Sequence, residues 1–151
     1  MAQSLVVIDT SVILKWVLPS DDEPDAARAL QLREAILDDT MPVLLPQLWL
    51  YEVGNTIARR FPVHAAAWLS ALMKFALAEA VPSSPWITKT LELTARYDAT
   101  FYDACYHALA MLHKGVLVTA DTKYFGKAKE AGSIELLNEW QPPARKRKAD
   151  A

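Results

Sequence analysis

At 151 residues, 52% hydrophobic and 23% charged, the chain has the size and composition of one globular domain with a core of its own. Its single cysteine, Cys105, excludes an internal disulfide, and the absence of a basic-then-apolar leader or a membrane-length apolar run makes a cytoplasmic, membrane-free protein the expectation. The net charge of −2 conceals a more acidic body, because residues 1–144 carry 12 basic against 17 acidic groups, a poor surface for general phosphate binding.

The first element is Leu5-Val6-Val7-Ile8, an apolar, mostly β-branched run of the kind buried on both faces of a parallel sheet. It stops on Asp9-Thr10-Ser11, and Val12, Ile13, Trp16 and Val17 then follow at helical spacing. Ligands in open α/β sheets bind beyond the carboxyl ends of strands, so Asp9 stands where chemistry happens; it equally suits a helix cap, as do Thr10 and Ser11. A proline-flanked turn cluster at 19–24 precedes an amphipathic helix over 25–37. Residues 41–45 read as a strand ended by Pro46. Helices are expected over 48–60 and, from Pro62, to about 78, the second with an apolar stretch at 68–77 suited to a subunit contact.

A short strand at 80–81, closed by Pro82-Ser83-Ser84-Pro85, leads to helices at 86–97 and 101–113, with Gly115 in the position of a C-terminal helix glycine. Val116 to Thr119 form the next strand, a helix over 122–131 stops at Gly132, and 134–137 make a last strand. Pro142-Pro143 release a basic tail, Arg145 to Lys148, that has nothing apolar to bury and is expected to be disordered. Strands alternating with helices predict a mostly parallel sheet covered on both sides, with a high helical share.

Two strands end in an acid beside a hydroxyl, Ile8-Asp9-Thr10 and Val118-Thr119-Ala120-Asp121, and in one parallel sheet both would open on the same edge. Glu52 and Asp103 lie in otherwise apolar helices, where a carboxylate is costly to bury unless it is paired, hydrogen-bonded or bound to a metal. Asp103 also suits the first turn of its helix on electrostatic grounds alone. Asn55 shares a helical face with Glu52. Four carboxylates without lysine partners call for a cation, and an all-oxygen set selects hard ions such as Mg²⁺ or Mn²⁺ over zinc.

The set Val7-Ile8-Asp9-Thr10-Ser11, Tyr51-Glu52-Val53-Gly54-Asn55, Tyr102-Asp103-Ala104 and Val118-Thr119-Ala120-Asp121 resembles a PIN domain, and the chain length is similar to that of VapC toxins of bacterial toxin–antitoxin pairs. The resemblance covers about residues 4–140, giving an expected domain at 1–141 and a tail at 142–151. It implies a PIN-like three-layer α/β/α sandwich and a Mg²⁺- or Mn²⁺-dependent endoribonuclease, leaving 5′-phosphate and 3′-hydroxyl ends. It further implies that Asp9, Glu52, Asp103 and Asp121 are the acidic metal-holding positions, with Thr10, Ser11, Asn55 and Thr119 as polar supports. Asp121 is the least secure ligand, because family members vary in how many acids complete the site.

The resemblance also implies an RNA substrate, a VapB-type antitoxin and a homodimer. A PIN-fold protein of weak activity that works through its antitoxin or RNA partner is the alternative. Lys15 and Lys123, near site acids, are either phosphate contacts or solvated surface lysines. His107 reads as a structural or surface residue able to reach Asp103. A phosphatase would need a second acid two residues after Asp9, where Ser11 stands, and a phosphoreceiver would need neighbouring acids at the first strand's end.

Overall fold

The computed structural model describes residues 4–144. Its strands are β1 (Val6–Ile8), β2 (Leu45–Pro46), β3 (Glu79–Ala80), β4 (Val116–Thr119) and β5 (Ile134–Leu136). The helices are α1 (Thr10–Ile13), α2 (Ala26–Leu37), α3 (Leu48–Arg60), α4 (Ala65–Lys74), α5 (Ser84–Tyr97), α6 (Phe101–Leu112) and α7 (Thr122–Ala128). Three 3₁₀ turns, Leu14–Trp16, Ser20–Asp22 and Lys129–Ala131, complete the described elements.

Every strand pairing is parallel: β1 with β4, β4 with β5, and β2 with β3. An isolated parallel bridge between Val6 and Val43 joins the two ladders, with Val6 N–H donating to Pro42 O at 2.9 Å and Leu44 N–H to Val6 O at 3.1 Å. The order is therefore β3-β2-β1-β4-β5, and β1 lies at the centre with all three residues buried. That placement explains its uninterrupted apolar run. The chain grows one way from β1 through β2 and β3, then returns to lay β4 and β5 on the other side. The crevice outside the carboxyl ends of β1 and β4 is thus a topological switch point.

Helices cover the sheet as a three-layer sandwich. In α6 every residue from Ala104 to Ala110 is buried, which makes it a central helix whose middle is covered all round, and only its two ends reach solvent. Trp16, Trp49 and Trp86 are buried with their indole N–H groups satisfied by Ala29 O, Glu79 Oε2 and Cys105 O at 2.9, 2.9 and 2.8 Å. They are core residues that lock neighbouring elements together.

Several expectations shift. The strand expected over 41–45 is broken up: Pro42 has no N–H to donate, Val43 makes only the isolated bridge to Val6, and the ladder with β3 is confined to Leu45–Pro46. The helix expected from Pro62 to 78 runs over Ala65–Lys74. Left-handed Ala76 (φ 50°) ends that turn of chain, and Ala78 O accepts from Leu45 N–H at 3.0 Å, so residues beyond 76 serve the sheet instead. Gly115 is not the left-handed cap of α6; Lys114 takes that role with φ 53°. Glycine is required at 115 because a Cβ there would lie 2.2 Å from Leu5 O, where β4 enters beside β1. The helix expected to 131 stops at Ala128 and tightens into the Lys129–Ala131 turn before Gly132 (φ 76°). Of the expected tail, residues 145–151 lie outside the described residues.

Candidate active site

Asp9 follows the last residue of β1 and caps α1, with Ser11 N–H donating to its Oδ1 at 3.1 Å. Capping and site chemistry are therefore not alternatives: one carboxylate does the first from a position fitted for the second. Ser11 Oγ also donates to Oδ1, and Thr119 Oγ1, at the end of β4, donates to Oδ2. The same two hydroxyls receive backbone N–H groups from the other strand end, Ala120 N to Ser11 Oγ at 2.9 Å and Asp121 N to Thr119 Oγ1 at 3.0 Å. Asp9 and Asp121 are thus held at one sheet edge by a hydroxyl clip. Asp121 in turn caps α7, accepting from Tyr124 N–H at 3.0 Å.

Asp103 stands in the exposed first turn of α6, capped by Thr100, whose Oγ1 accepts from Asp103 N–H at 3.1 Å. It shares with Asp121 a cleft of about 140 Å³ lined also by Thr100, Lys123, Tyr124 and Lys127. Glu52, half-buried on α3, is oriented by two hydroxyls on its Oε1: Tyr106 OH at 2.7 Å and Thr10 Oγ1 at 3.2 Å. It joins the edge through Thr10, the neighbour of Asp9. Asn55 is exposed on α3, and its side chain makes no hydrogen bond to Glu52 or to any other described residue.

The electrostatics bear the mark of carboxylates buried first and crowded second. Burial, and after it the charges of Asp121 and Asp103, pushes the Asp9 carboxyl from an ordinary 3.8 up to about 6, against the lowering hydrogen bonds from Ser11 and Thr119. Asp103 is also raised, first by burial and then by Asp121, while Thr100 and Lys127 pull it down. Burial first, and then Glu52 and Asp103, pushes the Cys105 thiol up to about 12, so it is an inert core group.

The donor chemistry fits a hard divalent ion: oxygen-only groups, with the Asp121 charge acting on both Asp9 and Asp103, and no salt bridge from any of them to a lysine or arginine among the described residues. As placed, no three acid, histidine or cysteine side chains among the described residues gather closely enough to hold an ion. Asp9 and Asp103 are the members whose electrostatics would gain most from one.

Other sequence-predicted residues lie elsewhere. Lys15 is neither a surface lysine nor a phosphate contact: it is buried and paired with Glu23 at 3.1 Å. His107 does not meet Asp103. It is fully buried between Tyr124 OH (2.8 Å from Nδ1) and Gly132 O (2.7 Å from Nε2). The carbonyl fixes the tautomer, since Nε2 must donate to it and Nδ1 then accepts the phenol proton. Tyr106, whose hydroxyl holds Glu52, is the candidate-site residue that sequence reasoning missed.

A parallel sheet with acids collected at its switch point defines the class: an α/β sandwich with a carboxylate-lined edge. The sequence matches the PIN domain family over residues 6–131, and the chain belongs to that family. Among solved structures, the fold is similar to a chain of a toxin–antitoxin complex from Klebsiella pneumoniae, with a TM-score of 0.64, 17% identity, and coverage of 87% of this chain and 97% of that one. It is similar to the sarcin-ricin loop cleaving toxin VapC20 of Mycobacterium tuberculosis, with a TM-score of 0.62, 20% identity, and coverage of 86% and 97%. A protein of Pyrobaculum aerophilum gives a TM-score of 0.62 at 20% identity, covering 91% and 92%. At such identities the likeness is one of fold. No curated protein sequence matches the chain.

Proposed function

We propose that this chain is a VapC-type toxin, an endoribonuclease that hydrolyses RNA phosphodiester bonds with Mg²⁺ or Mn²⁺ at the edge formed by Asp9, Asp103, Asp121 and Glu52. The observation that supports it most is the hydroxyl clip, which fixes two strand-end carboxylates side by side where their charges oppose each other and leaves Asp103 facing them. Membership of the PIN family, and relatives in fold described as a toxin–antitoxin complex and an RNA-cleaving toxin, support the same reading.

Asp9 and Asp103 would hold the ion, with Asp121 and Glu52 completing the shell directly or through water. An ion held there would supply an acidified water and offset charge on the phosphate oxygens. Ser11 and Thr119 keep the Asp9 carboxylate in one rotamer, so no reorganisation is needed when substrate arrives. Tyr106 and Thr10 both engage Oε1 of Glu52, which leaves Oε2 to orient a water or take its proton. Attack of that water on phosphorus breaks the bond to the 3′-oxygen and leaves a 5′-phosphate and a 3′-hydroxyl. A VapB-type antitoxin, a homodimeric state and a cytoplasmic site of action belong to the same proposal.

The test is cleavage of a structured RNA by purified protein with EDTA, Mg²⁺ or Mn²⁺, followed by mapping of the new ends. Ion-dependent cleavage with 5′-phosphate ends, abolished in Asp9→Asn, is expected. Ion-independent cleavage, or equal cleavage by Asp9→Asn, overturns the reading. Antitoxin binding without cleavage of any RNA would favour a binding role instead.

A further inference from the structure

The body of the protein is acidic, yet the cleft beside Asp103 and Asp121 is lined by two lysines, both on α7 and both exposed. Lys127 is held in place, its Nζ donating to Asp98 O at 2.9 Å where left-handed Asp98 (φ 51°) caps α5. Its charge is felt at Asp103. The Lys123 side chain, one helical turn earlier, makes no hydrogen bond to any described residue. The salt bridges among the described residues are Lys15–Glu23 and Lys89–Glu92, so neither cleft lysine is neutralised by an ion pair despite two carboxylates in the same cleft. Lys127 keeps two donors unused and Lys123 all three.

We infer that Lys123 and Lys127 form a two-cation grip for a phosphate of the substrate strand adjacent to the one being cleaved. The inference rests on the proposed ribonuclease reading and names how that site seats its substrate. A nucleic-acid strand meeting an otherwise acidic surface needs a local cationic foothold, and ammonium groups serve phosphate as point charges. Lys127, braced by the Asp98 carbonyl, fixes the position of the phosphate. Lys123, unbraced, closes over it. Were the lysines present only to offset repulsion among the acids, removing them would leave strand binding and its salt dependence alone.

The experiment uses the full chain carrying Asp9→Asn, kept in EDTA so that the RNA stays whole, and a short fluorescein-labelled single-stranded RNA read by anisotropy over a range of salt. Adding Lys123→Gln and Lys127→Gln together is expected to weaken binding about tenfold and to flatten the slope of log affinity against log salt by roughly 0.7 per lysine removed. Mn²⁺ affinity, measured in the wild-type background with the same two substitutions, is expected to hold or rise. Lys127→Arg should bind within about twofold of the parent, since the charge is kept. Equal affinity and slope in the double variant overturn the grip while leaving the ribonuclease reading standing. If the Asp9→Asn parent itself binds no RNA, both fall.

Discussion

Asp9→Asn should make the protein more stable, and only above the acid range. The Asp9 carboxyl titrates near 3.8 when unfolded and at about 6 in the fold, so the folded state binds that proton more tightly. Stability contributed by the neutral form is present below about pH 4, falls as pH rises through about 6, and is lost above it, a total of about 3 kcal/mol. Asparagine has no such proton to lose. Its amide nitrogen would face Thr119 Oγ1, which already accepts from Asp121 N–H, so one hydrogen bond worth about 1 kcal/mol disappears. The variant should therefore match the wild type near pH 4.5 and exceed it by about 2 kcal/mol near pH 8, a rise in Tm of about 4–8 °C. Thermal unfolding in EDTA-treated buffer across that range measures it. A variant less stable than wild type near pH 8, or a gap that does not change with pH, would refute the argument that burial, and after it the neighbouring carboxylates, raise the proton affinity of Asp9.

Tyr106→Phe removes the 2.7 Å bond to Glu52 and should lower RNA cleavage while costing about 1 kcal/mol in denaturant unfolding; unchanged cleavage would separate Glu52 orientation from activity. His107→Phe leaves Tyr124 OH unpaired in the core, while the exposed Gly132 carbonyl can turn to water, so urea unfolding should show a loss of about 1–3 kcal/mol. Gly115→Ala sets a methyl 2.2 Å from Leu5 O and should cost about 3 kcal/mol or prevent soluble expression; a loss below 1 kcal/mol would mean that β4 and β1 can part there.

The chain's general design was readable because the sheet is parallel and buried. β1 and β4 announce themselves as apolar runs closed by an acid, and α6 as a helix with no polar face. The order of strands was not readable, since it depends on Val6 pairing with the chain at 42–44, a contact that no local pattern encodes. The acids stood out for being carboxylates in apolar surroundings. Their supports did so less evenly: Ser11 and Thr119 adjoin site acids in sequence, whereas Tyr106 lies in an apolar helix and reads as core until its hydroxyl is seen on Glu52, 54 residues away. Lys15 misled because lysine is so seldom buried, and its partner Glu23 sits in a turn cluster eight residues on. Gly115 looked like a cap by position, but its necessity comes from the strand it slides past.

Direct measurement of Mn²⁺ binding tests the central claim, that carboxylates from distant parts of the chain share one divalent ion. Calorimetric titration of the wild type, Asp9→Asn and Asp103→Asn should show ion binding that weakens at least about tenfold on loss of either carboxylate, as expected for ligands of one hard cation. Equal Mn²⁺ affinity in all three proteins would contradict the account.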